Sequence, residues 1–128
     1  MPYLQLDVSS QYSIEDKKRL ASKLCETYSS IMRMDIRRIS IAIRELGDGG
    51  VWRTIDGELK PASVLMCDIR RGRPAKLRLE VAKALSQDCI DVLGLNEDCL
   101  NVEFTQHAGD EMYHPSLGGY SPEWSDDN

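Results

Sequence analysis

The chain reads as one folding unit written twice. Displaced by 61 positions without gaps, Asp7 falls on Asp68, Val8 on Ile69, Ala21 on Ala82 and Leu24 on Leu85. The same register carries Ile31 onto Val92, Met34 onto Leu95, Ile39 onto Leu100, Ile41 onto Val102 and Ile43 onto Phe104. Few of these are identities, yet the apolar pattern persists through each copy. In the first copy, a strand around Tyr3–Val8 ends in a polar turn, Ser9 to Tyr12. Ser13, with Asp16 three residues on, has the spacing of a helix capping box. Leu20, Leu24, Tyr28 and Ile31 then share one face of a helix running from Ile14 to about Met32, while Lys17, Lys18, Lys23 and Glu26 lie elsewhere. Asp35 to Arg38 form the connection, and Ile39, Ile41 and Ile43 alternate with Ser40, Ala42 and Arg44 as in a half-buried strand. In the second copy Pro74 sits in the first helical turn and Gly94 stops the helix.

A strand, a helix and a parallel strand joined by a right-handed crossover form a β-α-β unit. Two in tandem predict an α/β (α+β) domain: a four-stranded mixed sheet with both helices on one face. The 128 residues suit a single domain. Its expected parts are a first unit over 2–62, a second over 63–106 and a tail over 107–128. Between the units, Gly47-Asp48-Gly49-Gly50 breaks the pattern, and Val51–Ile55 followed by Asp56-Gly57 predicts a small hairpin. The tail offers Met112, Tyr113, Leu117, Tyr120 and Trp124 as packing anchors, and its end, Ser125-Asp126-Asp127-Asn128, is expected to fray. Helices cover only one sheet face and the sequence holds no third layer, so another subunit is expected to cover the other.

Charge and composition narrow the function. With 16 Lys and Arg against 21 Asp and Glu, the chain carries no overall nucleic-acid footprint. No apolar run reaches the length of a membrane span, and no leader pattern opens the sequence. Cys25, Cys67, Cys89 and Cys99 form no CxxC pair and have no nearby histidine ligand pattern. They read as reduced thiols of a cytoplasmic protein, with Cys25 and Cys89 on helices and Cys67 in a strand, and no metal site is expected.

Two stretches carry candidate chemistry. Pro2 directly follows the initiator methionine, a position from which methionine is commonly trimmed. Trimming would leave a secondary amine as the N-terminus, at the start of a strand. An ordinary α-amine has a pKa of roughly 8, and neighbouring cations lower it, which suits a general base near neutrality. Met-Pro by itself is common. The second stretch is Cys67-Asp68-Ile69-Arg70-Arg71-Gly72-Arg73-Pro74, where a strand passes into a helix. Arg70 and Arg73 there form a carboxylate cradle: guanidinium groups pair with carboxylates bidentately, and a helix N-terminus adds N–H donors. Arg71 is expected to point to the other side. Taken alone, an RRGR run is more often a solvated turn.

Together, an N-terminal proline, a duplicated β-α-β unit and this arginine turn resemble the tautomerase superfamily over roughly residues 2 to 120. The first half is similar to single-unit oxalocrotonate tautomerase chains, down to Arg44-Glu45-Leu46 and Gly57-Glu58-Leu59. The arginine turn is similar to that of the chloroacrylic acid dehalogenases and, less closely, to the arginine pair of malonate semialdehyde decarboxylases. The resemblance implies a tautomerase-like fold, assembly of fused double-unit chains as homotrimers, and chemistry without a metal or organic cofactor.

Residue by residue, the resemblance carries over Pro2, Arg70 and Arg73. Elsewhere the chain departs from the pattern. Single-unit tautomerases place arginines where this chain has Tyr12 and Ser40; Arg73 is the second unit's counterpart of the first of them. The cis-type dehalogenases have a helix histidine where Tyr28 aligns and a strand tyrosine where Glu103 aligns. Their water-activating glutamate aligns with His114. Trp52 aligns with an aromatic that walls the proline, a role in balance with plain hairpin packing. Glu103, opposite the apolar alternation of its strand, lines either a site or a subunit interface. His107 and His114 suit loop hydrogen bonds better than catalysis, and His114 is the better candidate of the two.

The function implied is proton transfer within a small unsaturated or 2-oxo carboxylate, with Pro2 as base and Arg70 and Arg73 holding the carboxylate. Two alternatives stand beside it. One is a cofactor-independent lyase acting as a haloacrylate dehalogenase, hydratase or decarboxylase; the other is a non-catalytic trimer of the same fold.

Overall fold

In a computed structural model of the protein, which describes residues 2–126, both units fold as the repeat predicts. The first comprises β1 (Tyr3–Val8), α1 (Ile14–Met32) and β2 (Ser40–Glu45). A ribbon of β3 (Trp52–Ile55) and β4 (Glu58–Pro61) follows, then β5 (Ser63–Arg70), α2 (Ala75–Leu93) and β6 (Leu100–His107). The tail adds two short strands, β7 (Tyr113–His114) and β8 (Gly119–Tyr120).

Strand order in the main sheet is β2-β1-β5-β6. β1 runs parallel to β2 and β5 parallel to β6, while the two units meet antiparallel at β1 and β5. That junction is a pseudo-twofold. Gln5 lies opposite Met66, the residue one repeat further along the chain. Even the connecting 3₁₀ turns, Ile36–Arg38 and Glu97–Cys99, are repeat equivalents.

Local chemistry explains the helix ends. Ser13 Oγ accepts from the Asp16 backbone N–H at 3.1 Å, satisfying one of the orphan donors of the first turn. Gly94 closes α2 in the left-handed region at φ 68°, where only glycine escapes the Cβ penalty. Arg33 adopts the same conformation, at φ 53°, to close α1.

Alternation decides the core. Leu4, Leu6 and Val8 of β1 and Leu65, Cys67 and Ile69 of β5 are all fully buried under the helices. They pack against Leu20, Leu24, Tyr28 and Met32 of α1 and Val81, Leu85 and Cys89 of α2. Ile31, expected on the α1 core face, is half-buried at its margin. Where the helices cross, Thr27 Oγ1 donates to the buried Asp88 carboxylate at 2.5 Å; these two residues are also repeat equivalents. All four cysteines are free thiols, and burial pushes Cys67 and Cys89 each up to about 12.

The uncovered sheet face is more polar than an unpartnered apolar layer. Arg44 clasps Asp7 bidentately at 2.6 and 2.9 Å. Asp68 accepts from Thr105 Oγ1 and pairs with His107 Nε2. His107 therefore sits at a strand end bonded to a carboxylate of the neighbouring strand, where loop hydrogen bonding was expected. Glu103 lies exposed on this face, level with Met66.

The tail departs from expectation in one respect. Met112 is buried, and Leu117 and Trp124 are half-buried, but Tyr113 and Tyr120 stay 55% and 64% exposed. These tyrosines pack edge to face on each other across β7 and β8, with ring centroids 5.0 Å apart, and so do not reach the core. Of the end expected to fray, Asp127 and Asn128 lie outside the described residues, as does Met1 at the other terminus. Among the described residues no helix is long and apolar enough to cross a membrane.

Candidate active site

Pro2 is buried where β1 begins, and its carbonyl accepts from the Ser40 N–H at 3.1 Å. It lines a cavity of about 320 Å³ that Tyr28, Arg38, Arg70 and Arg73 also enter. Each comes from a different place in the chain. Tyr28 projects from the buried face of α1, Arg38 ends the 3₁₀ turn before β2, Arg70 ends β5, and Arg73 precedes α2.

The turn between Arg70 and Arg73 depends on Gly72, whose φ is +121°, a conformation that side chains strongly disfavour. A Cβ there would also meet Trp124 Cβ at 3.0 Å. This turn sends Arg70 and Arg73 towards Pro2, while Arg71 points away and pairs with Glu123 at 3.2 and 3.3 Å.

The two arginines are not equally available. Arg70 is half-buried and donates through Nη1 to the Pro122 carbonyl at 2.7 Å. Arg73 is buried, and its Nε and Nη2 donate to the Met32 carbonyl at 3.3 and 3.1 Å. Trp124 stacks its ring 5.9 Å from the Arg73 guanidinium carbon, close enough for a cation–π contact. Arg73 thus closes the C-terminal end of α1, where unpaired carbonyls gather, and brings a fixed positive charge to the cavity edge.

Electrostatics at the site are strongly cationic. Burial lowers the pKa of both guanidinium groups; at Arg70 the charges of Arg73 and Arg38 push the same way. Both remain cations at any ordinary pH. Burial pushes the Tyr28 phenol well up, against the pull of Arg73 and Arg70, so it is a neutral hydrogen-bond donor. Asp35 also borders the cavity, but its bonds to Arg37, at 2.7 to 3.1 Å, hold it down at about 2.

The structure therefore places Pro2, Arg70, Arg73 and Tyr28 around one cavity. Trp52, Glu103 and His114 are not among the residues lining this cavity. Trp52 is 54% exposed on the β3–β4 ribbon and donates to the Gly49 carbonyl at 2.9 Å. His114 lies half-buried in β7, with Ser116 Oγ 3.4 Å from Nδ1. Three contributors, Arg38, Ser121 and Pro122, were missed. Arg38 had a readable signal: Asp35 pairs locally with Arg37, leaving the next arginine to turn inward, where its Nη2 donates to the Leu117 carbonyl at 2.7 Å. The tail residues Ser121 and Pro122, which wall the cavity, had no signal in periodicity or spacing.

No family model matches the sequence. No curated protein matches it either. Solved structures do match the fold. One is Pt0534, inactivated by 2-oxo-3-pentynoate, at 21% identity over 93% of this chain and 94% of that one, with a TM-score of 0.79. N1, a member of the cis-3-chloroacrylic acid dehalogenase family, matches at 19% identity over 94% and 84%, with a TM-score of 0.82. A fused 4-OT, Q0, solved as a symmetric trimer, matches at 18% over 93% and 94%, with a TM-score of 0.79. These likenesses show that the chain has the tautomerase-superfamily fold.

Proposed function

We propose that this protein is a tautomerase that moves a proton within a small unsaturated or 2-oxo carboxylate. The observation that carries the reading is the shared cavity: Pro2, Arg70 and Arg73, distant in sequence, border one space of about 320 Å³. With Met1 removed, the Pro2 nitrogen is a secondary amine beside guanidinium groups, which bias it towards its neutral, basic form. Arg70 takes the substrate carboxylate through the donors that Pro122 leaves unused, and Arg73 adds fixed charge from behind. Arg38 extends the cationic wall. Pro2 accepts a proton from one substrate atom and returns it to another, so the net change is isomerisation. The enolate oxygen formed in between is stabilised by the arginines and by the neutral Tyr28 phenol. Preorganised charge of this kind is commonly the largest catalytic term.

A hydratase or dehalogenase would also need a base to activate water. The carboxylate bordering the cavity, Asp35, is locked to Arg37 and held near 2, far too weakly basic for that task. This favours isomerisation over the lyase alternative. The trimeric state of fused 4-OT chains with the same fold supports a homotrimer here.

A panel of 2-hydroxydienoates and 3-haloacrylates, assayed on protein whose intact mass establishes loss of Met1, tests the reading. Pro2→Ala should lower isomerisation by roughly 10²-fold or more, the size of a general-base contribution. Unchanged turnover in that variant, or dehalogenation outpacing isomerisation in the native protein, would refute it.

A further inference from the structure

Three consecutive tail residues take the three arginines where β5 passes into α2. The Pro122 carbonyl accepts from Arg70 Nη1 at 2.7 Å, the Glu123 carboxylate pairs with Arg71, and Trp124 stacks on Arg73. The tail reaches them because it is pinned to the 3₁₀ turn Gly109–Glu111 and the residue after it. On one side of Pro122, the Ser121 N–H donates to the Met112 carbonyl at 2.9 Å. On the other, Glu123 Oε1 accepts from the Gly109 N–H at 3.0 Å.

Gly109 is what lets the tail lie so close. It is buried, and its backbone is not left-handed, so conformational freedom does not explain the glycine. Space does. A Cβ at this position would stand 2.4 Å from the Pro122 carbonyl oxygen and 2.5 Å from that of Ser121. The oxygen it would strike first is the one that holds Arg70. Gly109 itself does not line the Pro2 cavity. Held through Nη1, Arg70 keeps its Nε–Nη2 edge without a protein acceptor among the described residues. This protein grips carboxylates by that edge elsewhere: Arg44 holds Asp7, and Arg37 holds Asp35, through Nε and Nη2. A guanidinium immobilised before the ligand arrives spares part of the ordering cost of binding.

We propose that Gly109 is a positioning residue for carboxylate binding: its missing side chain lets the Pro122 carbonyl fix Arg70 with the Nε–Nη2 edge left for the substrate. This role rests on the carboxylate-binding function proposed for Arg70, and malonate binding, which needs no proton transfer, separates it from the isomerase reading.

Isothermal titration with malonate at constant ionic strength reads the role. Gly109→Ala should weaken binding roughly three- to tenfold, the cost of ordering one long side chain. Its kcat for isomerisation should stay within about twofold of native, because nothing at Pro2 changes. In an Arg70→Ala background the same substitution should add nothing. Glu123 gives a second route, since it is exposed and Glu123→Ala frees Pro122 from Gly109 without disturbing the core. Removing a negative charge that Arg70 feels would by charge alone tighten anion binding, whereas loss of the clamp should weaken it roughly threefold. Glu123→Gln keeps an acceptor for the Gly109 N–H and should bind no worse than native. Unchanged binding by Gly109→Ala, a penalty that persists without Arg70, or equal or tighter binding by Glu123→Ala would overturn the proposal. So would a native protein that fails to bind malonate at high millimolar concentration. If Gly109→Ala does not fold, the two Glu123 variants decide. Malonate binding that follows this pattern in a protein without isomerase activity would refute the tautomerase reading and leave the role of Gly109 standing.

Discussion

Arg73→Ala should unfold the protein more readily as well as weaken substrate binding, because the same side chain closes α1. Two charge-assisted bonds to the Met32 carbonyl would be lost, contributing about 1.5–3 kcal/mol by the usual scale for hydrogen bonds to charged groups. The contact with Trp124 adds roughly 0.5–1 kcal/mol. Relief from burying a guanidinium offsets part of this, which leaves a net loss of about 2–3 kcal/mol. For a domain of this size that lowers Tm by roughly 8–12 °C. Differential scanning calorimetry of Arg73→Ala beside Arg71→Ala makes the comparison. Arg71 is 61% exposed in its pair with Glu123, and exposed pairs contribute little, so its variant should stay within about 2 °C of native. Arg73→Lys keeps the charge but loses the fork and should fall between them. Equal Tm for the two alanine variants would refute the helix-closing role. If Arg71→Ala instead damages turnover most, the cradle is assigned one residue out of register.

Asp88→Asn should stabilise the protein at pH 7. Burial raises the folded-state pKa of Asp88, partly countered by the Thr27 bond. The stability this group contributes is therefore complete below its unfolded pKa and lost as pH rises through the raised folded value; an amide keeps the acceptor for Thr27 and is neutral throughout. Thermal denaturation should show an advantage of a few degrees at pH 7 that vanishes near pH 4, and a destabilised variant at pH 7 would contradict it. Arg38→Ala should raise KM for a carboxylate substrate roughly tenfold, the lower range for a charged hydrogen bond, and lower Tm by a few degrees as its bond to the Leu117 carbonyl is lost; steady-state kinetics with an unchanged KM would remove Arg38 from the site. In light scattering the 14.5 kDa chain should run as a trimer at micromolar concentration, and a monodisperse monomer would rule that assembly out.

What the sequence determined by itself was everything carried by short-range periodicity. Ile39, Ile41 and Ile43 specify a half-buried strand, and Leu20, Leu24 and Tyr28 specify one helix face, because side-chain direction repeats within a few residues. Ser13 and Gly94 mark helix ends for equally local reasons. Repetition of that pattern then implied the sheet, since two β-α-β units have few ways to share one. Local sequence put Arg70 and Arg73 at a strand-to-helix turn, and only the family resemblance associated that turn with Pro2. Tertiary structure alone decided how those groups are used. Pro122 meets Arg70 across 52 residues of chain and Met32 meets Arg73 across 41; no local pattern encodes such contacts. The tail, with no hydrophobic period of its own, is placed by Trp124 on Arg73 and by Glu123, which pairs with Arg71 and accepts from the Gly109 N–H. Trp52 depended likewise on where its ribbon packs, and within this chain that is outside the Pro2 cavity.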